Sequence, residues 1–398
     1  MKILFIDVNY ALGSTGGIVK ALTEQLRTQG HEVLVLYGRG GDSLEAKKVA
    51  KPIEVYLDVF LTRLTGFIGI FSPLSTRRVI AEIESFKPDV VHLHDLHGYF
   101  INFMHLANYL KAQNISTVWS FHSEFMYTGK CAHSYDCNAW QTHCDQCPQI
   151  DSYPKSWWFD QTSLMFDAKK KLFKNWDAFR IIIASEWLKV RCDRSEICGN
   201  NRKVVIPNPV AKDFFNIIKD RLMPYREKYK ISLLFSGSSL MTDNKGGGYI
   251  EQLCNFHPDV LFVIAGDDEF PIIADNILNV GYIKSSEELA CWYKAVDATI
   301  VLSKRETFSM VAAESLACGT PVIGFDSGGP SEVAPYPYGC FVEYGDIASL
   351  SGLVEQLKSK TLTLKGEASC RGYAVAHFGV NVVANSHLDV YQELIHRD

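Results

Sequence analysis

The stretch that decides the fold runs from residue 298 to residue 314 and reads ATIVLSKRETFSMVAAE. Its first five residues are small, apolar or β-branched, which is typical of a strand buried on both faces of a parallel sheet. Glu306 follows in a loop, and Met310–Leu316 continues with the apolar pattern of a helix. A strand that leads through a short loop into a helix is the unit of parallel α/β domains, whose ligands bind at the carboxyl ends of the strands.

The same alternation recurs along the chain and predicts two parallel α/β domains. In the first half, apolar segments predict strands at Lys2–Val8, Glu32–Tyr37, Asp89–His94, Ser116–Phe121 and Phe179–Ala184. In the second half the pattern restarts with Leu233–Ser236, Val260–Ala265, Asn279–Ile283, Ala298–Leu302 and Pro321–Phe325. Helical patterns lie between the strands, for example at Gly17–Gln29 and Tyr99–Ala112.

The segment Ile206–Val210 reads IPNPV, and its two prolines restrict the backbone as an interdomain connector would. We therefore place one domain over residues 1–210 and a second over residues 211–377, in line with a length of 398 residues. Residues 378–398 are expected to form a terminal helix that returns to the first domain. Two such domains that face each other form a cleft at the carboxyl ends of their strands.

The composition excludes several classes of protein. Hydrophobic residues make up 47% and charged residues 21% of the chain, the balance of a folded soluble protein. A net charge of −5 gives no overall attraction to nucleic acid. Asp7 interrupts the N-terminal apolar run too early for a signal peptide, and no run reaches the roughly 20 apolar residues of a membrane span. We therefore expect a cytoplasmic protein, and the odd number of 11 cysteines fits a reducing compartment.

Two carboxylates mark the ends of the quoted loop and helix. Eight residues of helix would place Glu306 and Glu314 on one side, about 12 Å apart, which suits two ends of an extended ligand better than one bond. Between them, the amides of Thr307, Phe308 and Ser309 open the predicted helix, where free N–H groups favour phosphate. In the alternative interpretation, Glu306 is a helix cap and Glu314 is a buried carboxylate satisfied by its neighbours.

These residues, with ACGTPVIG at 317–324 and GGPSE at 328–332, resemble the large family of retaining GT-B glycosyltransferases (group 1, family 4). The resemblance implies two Rossmann-like domains facing across a cleft, with an acceptor domain first and a donor domain second. It implies that Glu306 and the amides of Thr307–Ser309 hold the donor sugar and diphosphate, and that Glu314 holds the ribose hydroxyls. It also implies retention of anomeric configuration and chemistry without a required cofactor.

Further donor-side candidates follow from the same resemblance. Lys245 would place its ammonium on the diphosphate, although a solvated loop lysine is the ordinary alternative. The family usually carries an arginine nearby, whereas this chain has Ser238 and Asn244, so Arg305 is a candidate substitute. The backbone at Ile283 is a candidate for cradling the nucleobase.

Two glycine-containing turns allow other interpretations. Gly13–Gly17 follows the first strand, and Gly16 and Gly17 would let the backbone approach a phosphate or sugar closely. The turn lacks the full G-x-G-x-x-G spacing, so it is weak evidence for a nicotinamide dinucleotide. The sequence GDDE at 266–269 could hold Mg²⁺ through its carboxylates. We favour a solvent-facing turn there, because the resemblance implies one.

Histidines follow two strands of the first half. His122 lies at a strand end and resembles the family's histidine that contacts the donor sugar near the reacting carbon. His97 and Tyr127 are further candidates on the acceptor side. His92 and His94 could suggest zinc, but no further ligands lie nearby in the sequence.

Four cysteines lie within seventeen residues at spacings of five, six and two, namely Cys131, Cys137, Cys144 and Cys147. They predict a structural zinc site, of which only the last pair has ordinary knuckle spacing, or alternatively reduced thiols that pack a loop. The Cys-rich insert over residues 124–160 resembles that of bacterial colanic-acid-type and O-antigen transferases. A long ordered insert at the mouth of the cleft would shape the acceptor pocket.

Apolar and basic segments in the first half suggest contact with a membrane. Val55–Phe71 is largely apolar with Arg63 inside it, Arg77–Arg78 follow, and Lys169–Lys171 with Lys174 add a second basic stretch. On one side of the domain, these segments could rest on anionic lipid and present a lipid-linked acceptor. A solvated helix face is the alternative.

The resemblance therefore implies a hexosyltransferase that uses a nucleotide-diphosphate sugar and a saccharide or lipid-linked saccharide acceptor in bacterial lipopolysaccharide, O-antigen or related surface polysaccharide synthesis. Glu306 and His122 are the catalytic candidates. Because no residue stands out as a nucleophile, we expect stabilisation of the developing oxocarbenium charge and the departing diphosphate, with no protein-bound intermediate. One alternative is a nucleotide-sugar epimerase on the same fold. Another is a non-catalytic polysaccharide-assembly subunit, which the missing arginine near Lys245 favours.

Overall fold

The computed structural model of the protein describes residues 1–217, 223–224, 226–266 and 270–396. The chain divides into two compact units, Met1–Pro209 with Val383–Asp398, and Val210–Val382. Among the described residues, the first unit contains a seven-stranded sheet and the second a six-stranded sheet, and every strand pairs in parallel.

The first unit alternates strands and helices. Its strands are β1 (Lys2–Asp7), β2 (Glu32–Tyr37), β3 (Lys47–Lys48), β4 (Val90–Leu93), β5 (Thr117–Phe121), β6 (Phe179–Ile183) and β7 (Lys203–Val205). Its helices are α1 (Gly13–Thr28), α2 (Pro52–Thr65), α3 (Pro73–Phe86), α4 (Phe103–Ala112), α5 (Thr162–Phe173) and α6 (Glu186–Arg194). The central strands β4 and β5 are buried at every residue, as expected for a parallel sheet that is covered on both faces.

The second unit repeats this architecture. Its strands are β8 (Ile231–Ser236), β9 (Val260–Ala265), β10 (Ile277–Gly281), β11 (Ala298–Val301), β12 (Val322–Asp326) and β13 (Gly339–Glu343). Its helices are α7 (Gly248–Phe256), α8 (Ser286–Ala295), α9 (Met310–Ala317), α10 (Pro330–Val333), α11 (Ile347–Lys358) and α12 (Glu367–Phe378).

Both sheets have the strand order of a Rossmann fold. The first sheet runs β3-β2-β1-β4-β5-β6-β7 and the second runs β10-β9-β8-β11-β12-β13. The order reverses between β1 and β4 in one unit and between β8 and β11 in the other. Ligands of such sheets bind beside this reversal, at the carboxyl ends of the strands.

The last helix, α13 (Val380–Ile395), begins in the second unit, and its residues from Val383 onward belong to the first. Within the first unit, the Tyr391 hydroxyl lies 2.6 Å from His92 Nδ1, at β4. Arg180 on β6 donates to Glu393 at 3.1 Å. No helix in the described part of the chain is long and apolar enough to cross a bilayer.

All ten predicted strands are present, with ends that differ by at most two residues. The described ranges contain three further strands, β3, β7 and β13, and each lies at the edge of its sheet. Edge strands are less buried, so they lack the apolar runs that reveal central strands. The helix predicted from Tyr99 begins only at Phe103, because the Asn102 side chain accepts a 2.9 Å hydrogen bond from the His105 amide and caps it.

Candidate functional site

Three loops converge at the carboxyl end of the second sheet, where β8, β11 and β12 end. The Glu306 amide donates to Ser327 O at 3.1 Å, and Glu306 O accepts from the Gly329 amide at 2.9 Å. The Lys304 amide donates to Asn244 O at 2.7 Å. The loop after β11 is therefore fixed by backbone hydrogen bonds on both sides.

Side chains from two of these loops form a charged group. Lys245 Nζ donates to Glu306 Oε1 at 2.7 Å, and Ser303 Oγ donates to the same oxygen at 2.8 Å. The lysine side chain is 28% exposed and that of the glutamate 21%, so the pair is shielded but reachable from solvent. The structure thus brings together Lys245 and Glu306, which lie 61 residues apart in the sequence. Sequence reasoning missed Ser303, whose only signal is its position at the end of a strand.

Two glycines allow these loops to approach so closely. A Cβ atom on Gly246 would lie 2.3 Å from Leu302 O, and the residue has a φ of +76°. A Cβ atom on Gly329 would lie 2.6 Å from the Phe308 backbone. A side chain at either position would force the loops apart.

The start of α9 differs from the prediction. The helix begins at Met310 and not at Thr307, because Ser309 has a left-handed backbone with a φ of 90°. Ser309 is the N-cap, and its Oγ accepts from the Ala312 amide at 3.3 Å. The amides of Thr307, Phe308 and Ser309 therefore belong to the loop and cap. All three residues are buried, and the Phe308 ring packs on Phe378 at 5.7 Å.

Glu314 lies half-buried in α9, and its Oε2 accepts a hydrogen bond from the Tyr293 hydroxyl at 3.2 Å. Burial raises the pKa of Glu314 to about 8. The carboxyl group is therefore mainly neutral at pH 7. Tyr293 had no signal in the sequence, because it lies on α8, far from the loop motifs.

The other donor-side predictions are placed as follows. Ile283 lies half-buried in the loop beyond β10, which ends at Gly281 and not at Ile283. Arg305, the candidate substitute for an arginine near Lys245, adjoins Glu306 in the loop after β11. In the sequence GDDE, Asp267–Glu269 lie outside the described residues.

In the first unit, the predicted glycine turn forms the first residues of α1. Gly16 is buried, and its carbonyl accepts from the Ala11 amide at 3.0 Å. A Cβ atom on Gly17 would meet no heavy atom within 4 Å. Of the two, Gly17 is therefore the residue that has open space beside its backbone.

His122 follows β5, is half-buried, and stacks with two buried histidines, His94 and His92. His122 Nε2 lies 2.9 Å from His94 Nδ1, and the two rings are parallel, with centroids 5.2 Å apart. His94 in turn stacks on His92 at 4.2 Å, and His92 Nε2 lies 2.7 Å from Ser120 Oγ. Burial lowers the pKa of all three imidazoles, so they are neutral near pH 7. Sequence reasoning did not identify His94 as the partner of His122.

The two acceptor-side candidates differ in exposure. His97 is half-buried, and its ring stacks on Phe125 with centroids 4.9 Å apart. Burial lowers the pKa of His97 to about 4. Tyr127 is fully buried and packs on Trp140 at 5.3 Å, so its prediction as an acceptor contact is corrected. An aromatic residue in a loop motif gave no indication that the loop folds into the core.

The second basic stretch does not lie wholly at the surface, although both the membrane-contact and the solvated-face interpretations required this. Lys169 is fully buried, and its Nζ donates to Phe125 O at 2.5 Å and to Thr128 O at 2.9 Å. Lys170 is paired with Glu196 at 2.5 Å. Lys169 therefore stabilises the insert and presents no charge to a membrane.

The four cysteines of the insert line one small cavity with Lys130 and Trp140. The chain's 11 cysteines all lie in the described ranges and are free thiols. The Gly129 amide donates to Cys144 Sγ at 3.2 Å, and a hydrogen bond from Cys131 lowers the pKa of Cys147. Nevertheless, the described residues contain no group of three or more His, Cys, Asp or Glu arranged to hold a metal. Structural zinc in the insert stays a prediction.

Metal analysis of the purified protein tests this prediction. We expect an equimolar amount of zinc that survives dialysis and that is lost from Cys147→Ser, with a lower Tm, because removal of one thiolate opens the coordination shell. Cys340→Ser, in the second unit, is the control and should keep both metal and Tm. A metal-free protein in which Cys147→Ser keeps the parent's Tm would instead show thiols that only pack the loop.

Glu314 gives a second prediction, on stability against pH. Its folded-state pKa of about 8 lies above the ordinary value of 4.5, so the folded state binds the proton more tightly than the unfolded state. The contribution of protonated Glu314 to the free energy of unfolding is present in full below pH 4.5 and is lost as pH rises towards 8. Glu314→Gln should therefore gain Tm relative to the parent as pH rises from 5 to 8, measured by thermal denaturation. A constant Tm difference across this range would contradict the raised pKa.

The chain matches two protein-family models. The model for Glycosyltransferase Family 4 matches residues 17–214, and the model for glycosyl transferases group 1 matches residues 249–371. The first match lies almost wholly in the first unit and the second lies within the second unit.

Curated relatives include bacterial glycosyltransferases. The putative colanic acid biosynthesis glycosyl transferase WcaC of Escherichia coli K12 is 26% identical over 352 residues, which cover 84% of this chain and 85% of that protein. A D-inositol 3-phosphate glycosyltransferase of Streptomyces bingchenggensis is 34% identical over 110 residues, which cover 27% of this chain and 24% of that protein.

Solved structures share the fold over almost the whole chain. Sucrose-phosphate synthase from Thermosynechococcus elongatus has a TM-score of 0.73 and 18% identity, with 99% of this chain and 98% of that chain covered. HepE of Anabaena, solved in complex with UDP, has a TM-score of 0.67 and 16% identity, with 99% and 100% covered. Three observations indicate the same fold and family: the Rossmann strand order of both units, the two family matches and the similarity to these structures. The chain belongs to the GT-B glycosyltransferases, with a family 4 N-terminal half and a group 1 C-terminal half.

Proposed function

We propose that this glycosyltransferase transfers a hexose-type sugar, with retention of configuration, from a nucleotide-diphosphate sugar to a lipid-linked saccharide. The product would enter a bacterial surface polysaccharide, such as a lipopolysaccharide or O-antigen, and the reaction would take place on the cytoplasmic side of the membrane. The observation that carries the proposal is the pair formed by Lys245 and Glu306 at the carboxyl end of the second sheet.

This pair supplies the charges that a sugar diphosphate requires. The ammonium of Lys245 can neutralise phosphate oxygens as a point charge, and the carboxylate of Glu306 can accept hydrogen bonds from sugar hydroxyls. The relatives support this choice of donor, since HepE was solved with UDP and with UDP-glucose. The E. coli relative, whose description names colanic acid biosynthesis, supports a polysaccharide product.

The surroundings of Glu306 favour an electrostatic role over attack on the sugar. Its Oε1 already accepts hydrogen bonds from Lys245 and Ser303, and a carboxylate oxygen held by two donors is a weak nucleophile. In the proposed reaction, Glu306 stabilises positive charge on the sugar as the bond to the diphosphate breaks. The departing diphosphate then accepts the proton of the acceptor hydroxyl, so that the new glycosidic bond forms without a protein-bound intermediate.

A pair of glutamate variants tests the role of Glu306. Glu306→Gln removes the charge, and it should lower kcat for transfer from UDP-glucose roughly 100-fold or more while the fold stays intact. Glu343→Gln is the control, because Glu343 also lies at the carboxyl end of a strand of this sheet but is exposed. Transfer is measured with acceptor extracted from membranes, and other nucleotide sugars are tried if UDP-glucose is inactive. Equal activity of Glu306→Gln and the control would remove Glu306 from the mechanism.

The donor alone separates the proposed function from its alternatives. Incubation with a panel of nucleotide sugars should give slow hydrolysis and no change of sugar stereochemistry, because water is the only acceptor. An epimerase would interconvert two nucleotide sugars without an acceptor. A non-catalytic assembly subunit would give neither hydrolysis nor transfer with any member of the panel, and either result would overturn the proposal.

A further inference from the structure

Helix α2 has the reverse of the usual distribution of polar and apolar residues. A surface helix ordinarily turns its apolar stripe towards the core. In α2 the buried residues are Asp58 and Thr62. Its large apolar side chains face solvent instead, with exposed fractions of 72% for Ile53, 72% for Tyr56, 52% for Leu57 and 49% for Phe60. Their spacing of three, one and three residues places them on one face of the helix.

The end of the insert extends this surface. The Trp157 amide donates to Arg63 O at 2.7 Å, and the Trp157 ring lies 6.0 Å from that of Phe60. Phe159 O lies so close to Gly66, the C-cap of α2, that a Cβ atom there would be 2.2 Å away. Trp157, Trp158 and Phe159 are all exposed. We call the combined surface the α2 face, and it comprises Ile53, Tyr56, Leu57, Phe60, Trp157, Trp158 and Phe159.

The acidic groups of α2 itself are paired or buried, and the exposed Asp160 that follows Phe159 accepts hydrogen bonds from the Cys147 and Thr162 amides. Asp58 is buried and accepts hydrogen bonds from Thr62, at 3.1 Å, and from Ser72. Glu54 pairs with Arg78 and accepts a 2.9 Å hydrogen bond from the Lys51 amide.

Basic side chains flank the α2 face. The residue before the helix is Lys51 and its last turn carries Arg63, and both are exposed. An apolar surface bordered by positive charge is complementary to a negatively charged layer over an apolar one.

We propose that the α2 face docks on the surface of an anionic lipid bilayer, with α2 lying in the plane of the interface. Tyrosine and tryptophan side chains favour the headgroup region, and the aliphatic Ile53 and Leu57 reach into the acyl boundary. A saccharide would stack on the aromatic rings but would gain nothing from these two aliphatic side chains. The charges of Lys51 and Arg63 favour phosphate-bearing lipid over a neutral partner.

Flotation with lipid vesicles tests the proposal. The parent should float with phosphatidylcholine vesicles that contain phosphatidylglycerol. The triple variant Ile53→Gln, Leu57→Gln, Phe60→Gln keeps helix-forming residues and should lose binding roughly ten-fold or more. The matched control is Leu44→Gln, Ile273→Gln, two exposed apolar residues outside the α2 face, and it should float like the parent. A parent that does not float, or a triple variant that floats like the control, overturns the proposal.

Further measurements distinguish the bilayer from other occupants. Lys51→Gln with Arg63→Gln should lower binding to phosphatidylglycerol-containing vesicles several-fold, and added salt should weaken the parent in the same way. If the parent dimerises and the triple variant does not, or if the α2 face binds soluble saccharide without vesicles, that partner replaces the bilayer. Flotation uses neither donor nor acceptor, so its outcome is separate from that of the proposed transfer reaction.

Discussion

The candidate site of the second unit depends on one constraint. The ammonium of Lys245 and the carboxylate of Glu306 come from different loops and must stay in contact where solvent access is limited. Lys245 and Glu306 lose part of their hydration there, and a shielded ion pair is stable only if its geometry is held and its remaining hydrogen bonds are satisfied. The backbone hydrogen bonds of Glu306 to Ser327 and Gly329 supply that geometry. Because Gly246 and Gly329 carry no side chain, the loops can close around the pair. The groups proposed to bind the donor are thus the same groups that hold the loops together.

In the first unit, the main electrostatic feature is a stack of three neutral histidines. His92, His94 and His122 lie so close together that positive charge on one would repel charge on the next, and burial disfavours charge on all of them. His122 is held in this stack by a hydrogen bond between its Nε2 and Nδ1 of the buried His94. A neutral imidazole can donate or accept one hydrogen bond at each ring nitrogen without adding positive charge to its surroundings.

The fold could be predicted because the strands of a buried parallel sheet are apolar runs in the sequence. For β2 and β9, the predicted first and last residues are those found in the structure. The position of Glu306 also followed, since a loop after a central strand must reach the ligand-binding edge of the sheet. The start of α9 did not follow, because a left-handed backbone is uncommon for serine and no neighbouring residue in the sequence indicates it. The burial of Lys169 could not be predicted either, because the carbonyl groups that surround its ammonium come from a segment about 40 residues away in the sequence.

The return of α13 makes the first unit discontinuous in the chain. Residues 1–209 leave the ribosome before the second unit, and the segment that carries Tyr391 leaves it after the second unit. The core of the second unit can therefore form before the first unit is complete, because the first unit still lacks the segment from Val383 onward. A chimaera that exchanges the second unit must consequently join two chains at two points, near residues 209 and 382, so that the segment from Val383 onward keeps its own partner strands.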